Sequence, residues 1–85
     1  MPRLFFSAAY KEFLRVLVAA RKEAEVSQVE LAERLGKPQQ FVSKYETAER
    51  RLDLVEFVAV ARALKADPRD LFDRVLKKLP KSLEI

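Results

Sequence analysis

The stretch 27-SQVELAERLGKPQQFVSKYET-47 decides the fold. It reads as a helix, a tight turn and a second helix. Ser27 is an N-cap, and Glu30 three residues on predicts a capping box. Leu31, Ala32 and Leu35 form the inner face of this first helix, with Glu33 and Arg34 outward. Gly36 stands where a helix end most needs positive φ. Pro38 suits the first turn of the next helix, where its missing N–H costs nothing. There Val42, Tyr45 and one side of Phe41 turn inward, and Gln39, Gln40, Ser43 and Lys44 lie on the other face. Two helices that cross closely need a small residue at the approach, a left-handed residue at the turn and apolar residues inside. Ala32, Gly36, Leu31, Leu35, Val42 and Tyr45 meet those needs together, though each alone is commonplace. So short a turn is the geometry that sets a second helix into the major groove of DNA.

Working outward, Ser7 predicts the cap of a preceding helix over about 8–24. Tyr10, Phe13, Leu14, Leu17 and Ala20 follow the i, i+3, i+4 spacing of a buried stripe, and Val16 and Val18 fall off it. The arm 1–6 carries Leu4, Phe5 and Phe6 with nothing local to cover them. It either folds back on the domain or packs on a second subunit.

Past the central stretch, 47–52 is a loop with adjacent cations at Arg50 and Arg51. Asp53 and Glu56 predict a capping box for a fourth helix, with Leu54, Phe57, Val58, Ala61 and Leu64 as its core face. Asp67-Pro68 opens a fifth helix that runs to about Leu79, where Pro80 stops it. Leu71, Phe72, Val75, Leu76 and Leu79 are its apolar stripe. The fold class is all-α, one domain over 1–85: an arm 1–6, a five-helix core 7–79 and a tail 80–85. Val55, Val60, Val75, Leu79, Leu83 and Ile85 are more apolar surface than five short helices need. They either build a homodimer on helix 5 and the tail, the favoured expectation, or fold over their own core.

Composition narrows the functions. The 85 residues hold no Cys and no His, so thiolate and imidazole chemistry, catalytic or metal-binding, is excluded. No enzyme, cofactor or small-molecule ligand is expected. The net charge of +4 permits a nucleic-acid partner without proving one. The longest apolar run, 16–20, is far too short for a bilayer. No membrane partner and a cytoplasmic location are expected.

SQVELAERLG, FVSKYE, and LVEFVAVARAL with ADPRDLF resemble the Cro and phage-repressor type of helix-turn-helix domain, also called the Xre family. The resemblance covers about 14–76. It implies a five-helix repressor-like DNA-binding domain, with helices 2 and 3 as the motif. It also implies sequence-specific binding of double-stranded DNA, usually as a dimer that represses transcription. An antitoxin or restriction-system controller shares that chemistry, and a protein-interaction module shares the fold without DNA. Two departures stand out. Lys37 occupies a usually apolar position after the turn glycine, and Ala48 replaces a usual loop glycine, which predicts a different loop conformation.

Gln39 and Gln40 are the expected base contacts, since a Gln amide can bond bidentately to the N6 and N7 of adenine. The resemblance adds that family members read bases from these positions. Otherwise the two are solvated polar residues in a first helical turn. Ser43 and Lys44, one turn on, reach a base edge or a phosphate, or in Ser43's case pack. Ser27 and Gln28 sit at a helix N-terminus, which is a natural phosphate site. Lys37, Arg50 and Arg51 are further phosphate candidates because they flank the second helix of the motif. From the resemblance alone, Arg21 and Glu46 are expected to form a structural ion pair.

Overall fold

The computed structural model describes residues 7–83. The arm 1–6 and Ile85, both singled out above, lie outside them. Five helices follow one another: α1 Ala8–Glu23, α2 Gln28–Leu35, α3 Gln39–Glu46, α4 Leu54–Ala63 and α5 Pro68–Lys78. Their starts are set by short polar side chains. The Ser7, Ser27, Asp53 and Asp67 side chains accept first-turn N–H groups from Tyr10, Glu30, Glu56 and Arg69. At α4 the capping box is complete. At α2 only half of it forms, because the Glu30 carboxylate accepts from Arg34 at 2.7 Å instead of reaching back to Ser27. Pro38 stands one residue before α3, as its cap, with extended backbone.

The first four helices all end the same way. A residue with left-handed backbone follows each: Glu25 (φ 60°), Gly36 (68°), Ala48 (65°) and Lys65 (59°). The next N–H then reaches back five residues, Val26 to Arg21, Lys37 to Ala32, Glu49 to Lys44 and Ala66 to Ala61, at 2.8–3.2 Å. This is the Schellman hydrogen bond, which satisfies a carbonyl the helix would otherwise leave open. Ala48 therefore adopts the conformation a glycine would, against the expectation of a different loop. Its methyl group is buried in the core, which offsets the steric cost of the left-handed region.

The α2–α3 unit packs on the rest of the core, with α1 touching α3 and α5, and α4 touching α2 and α5. That sandwiching corrects several stripes. Val16 is buried because α1 covers two neighbours, not one. Val60, counted as surplus apolar surface, is buried for the same reason in α4, and Val75 is buried as its place on the α5 stripe implies. Leu54, expected in the core, is 69% exposed, because the first residue of α4 projects past its neighbours. Leu17, Leu31, Val42, Tyr45 and Leu71 fill the centre.

Candidate nucleic-acid interface

The α2–α3 turn holds the two helices together through Leu31, Ala32, Val42 and Tyr45, all buried. That burial fixes α3 by its inner side and leaves Gln39, Gln40 and Lys44 exposed, with Ser43 half-buried. Gln40 and Lys44 make no side-chain hydrogen bond or ion pair among the described residues. Gln39 donates its amide Nε2 to Oε1 of Gln28 at 2.9 Å.

Gln28 is itself anchored. Its Nε2 donates to Oε1 of Glu46 at 2.8 Å. Glu46 also accepts from Arg21, Nε to Oε2 at 2.7 Å and a terminal nitrogen to Oε1 at 3.1 Å. Arg21 gives its other terminal nitrogen to the Val26 carbonyl at 3.0 Å. The side chains of Arg21 and Glu46 are only 11% and 6% exposed. The Glu46 hydrogen bond raises the Arg21 pKa, against the opposing pull of desolvation. A single chain of bonds thus runs from α1 through the last residue of α3 to the first residue of α2, and on to the first of α3.

The remaining candidates divide. Ser27 is engaged as the α2 cap, with its backbone start exposed. Lys37 is exposed beside α3. Arg50 turns toward α4: its terminal nitrogens donate to both carboxylate oxygens of Glu56, at 3.0 and 2.8 Å, and to the Arg51 carbonyl at 2.7 Å. The Arg51 guanidinium stacks 4.5 Å from the centre of the Tyr10 ring. The Tyr10 hydroxyl in turn accepts the Leu52 N–H at 3.0 Å, which pins the loop to α1.

Sequence reasoning missed Glu56 as the partner of Arg50, because its capping role already accounted for it. It also missed the Gln28–Gln39 link, which no spacing rule encodes. No group of acids that could hold a metal ion occurs among the described residues. None of the described helices is long and apolar enough to cross a membrane.

An exposed helix tip, carried by a short turn on a partner helix packed by its inner face and flanked by cations, defines a helix-turn-helix module. Comparisons with known proteins agree. A family model described as helix-turn-helix matches residues 17–71. A solved structure, an XRE-family like protein from Pseudomonas syringae pv. tomato str. DC3000, superposes with a TM-score of 0.79 at 46% identity, covering 86% of this chain and 89% of that one. A search of curated proteins found no match. The chain belongs to the Xre family of helix-turn-helix proteins, a family of DNA-binding transcription regulators.

Proposed function

We propose that this protein is a transcriptional repressor that binds a two-fold DNA site as a homodimer. The observation that carries the reading is the face of α3, where Gln39, Gln40 and Lys44 are exposed on a helix anchored from behind. In this reading Gln39 and Gln40 contact bases. Gln28 presents Gln39 with its amide already oriented, which lowers the ordering cost of the contact. Lys44 and Ser43 reach the next base edge or phosphate, and Ser27, Gln28 and Lys37 meet the backbone. Arg51 lies beside that path, while Arg50 acts through the loop it holds.

The homodimer would use α5 and the tail. Phe72, Leu76 and Leu83 are exposed there, and Leu54 and Val55 of α4 add to the apolar surface. Exposed apolar side chains in such number favour association. A two-fold pair sets two α3 helices about 34 Å apart, on successive major grooves.

Selection of bound sequences from a random duplex pool, at several salt concentrations, tests the reading. The expected result is a palindromic site. Failure to enrich any sequence at low salt overturns it. Sedimentation of the wild type and of Leu76→Glu tests the assembly, with a dimer expected only for the wild type.

A further inference from the structure

Lys37 is exposed in the turn before α3, and its surroundings give it a use. Its ammonium lies 5.7 Å from the centre of the Phe41 ring. The guanidinium carbon of Arg50 lies 4.7 Å from the same ring. Two cations gathered on one ring repel unless a counter-charge is near. Glu56 supplies it, bonded twice to Arg50. Its carboxyl is held below the ordinary range, first by that hydrogen bond and also by the charge of Lys37. The two cations differ in what remains open. The terminal nitrogens of Arg50 are engaged by Glu56 and by the Arg51 carbonyl. The Lys37 ammonium has no hydrogen-bond acceptor or carboxylate partner among the described residues.

We propose that Phe41 is a positioning residue for the DNA-backbone contact of Lys37, ring and ammonium acting as one unit against a single phosphodiester. Lys37 makes the contact, Phe41 positions its ammonium, and the Arg50–Glu56 pair braces the ring. This rests on the DNA-binding reading. A ring face attracts the ammonium and restricts a side chain that would otherwise sample many rotamers. Less freedom is then lost when the phosphate arrives. Arg50 becomes a positioning residue and not a phosphate contact.

The test measures affinity for a selected duplex across a series of salt concentrations. Lys37→Gln should flatten the slope of log K against log salt by about one unit, with base preference unchanged. Phe41→Leu should weaken binding while keeping the slope, because Lys37 still carries its charge, Phe41→Tyr should restore the affinity, and Phe41→Leu should cost nothing further once Lys37 is Gln. An unchanged slope for Lys37→Gln, or additive losses in the double variant, overturns the proposal. A second measurement needs no DNA. The ε-methylene protons of Lys37 should be shifted upfield by the ring current in the wild type and in Phe41→Tyr, and not in Phe41→Leu. Absence of that shift in the wild type overturns the role of Phe41. A wild-type chain that binds no duplex overturns the DNA reading and the phosphate contact together.

Discussion

At the C-terminal end of α3, Glu46 accepts three hydrogen bonds from two other helices and is almost fully buried. At the N-terminal end, Gln39 and Gln40 are exposed, and no side chain caps the turn. The same eight-residue helix is therefore fastened at one end and open at the other. An open polar end is costly in a folded core but useful where a partner supplies the missing acceptors and donors. The fastened end lets the helix hold its angle while the other end stays ready for that partner.

Breaking the fastened end should have the largest effect. Arg21→Ala and Glu46→Ala should each cost about 3–5 kcal/mol of stability, because each leaves a buried charge unpaired. The double variant should lose less than the sum of the two, and thermal or urea unfolding of all three reads this. Simple additivity would mean that the two side chains act separately. The open end should behave in the opposite way. Gln40→Ala should leave stability within about 0.5 kcal/mol of wild type, as surface changes do. It should cost about 1–3 kcal/mol of discrimination at one base pair, read by competition between cognate and substituted duplexes. Loss of stability without loss of discrimination would erase the contrast.

The next effect sharpens the contrast from inside. Tyr45 is fully buried beside Glu46, and its hydroxyl has no hydrogen-bond partner among the described residues. Burial raises its pKa, with the Glu46 charge adding to the rise. Tyr45→Phe removes an unpaired buried hydroxyl and should stabilise the fold by about 1 kcal/mol, measured by urea unfolding. The smallest effect lies by the open end. The pKa of Glu56 is lowered by Arg50, so its contribution is present above the ordinary glutamate range and is lost as pH falls through the lowered value. Part of this pair is exposed, so the loss should stay below about 1 kcal/mol. Glu56→Gln should flatten the acid limb of a stability–pH profile by that amount and leave the neutral-to-alkaline part parallel to the wild type.

The helices themselves were legible because caps and periodicity are local. Ser7, Ser27, Asp53 and Asp67 announce their helices within three residues. Burial was less legible wherever a helix meets two neighbours. A single stripe rule leaves Val16 and Val60 outside the core, yet both are buried because α1 and α4 are each covered on two sides. The motif face could be read from Gly36 and the residues around it. Its supporting bonds could not. Arg21 and Glu46 are 25 positions apart, and only the family resemblance suggested that they pair. Gln28 and Gln39 meet across the turn, and Arg50 and Glu56 across a loop, at separations that no periodicity marks.

The repeated helix ending has a consequence for how this chain can change. Of the four left-handed positions among the described residues, only Gly36 is a glycine. Glu25 and Lys65 are exposed and lie in turns outside α3, although the Glu25 turn holds Val26, whose carbonyl accepts from Arg21. Lys65→Gly should relieve the cost of its left-handed backbone and raise resistance to heat, leaving the α3 face as it is. Ala48 offers no such freedom, since its methyl is already part of the core.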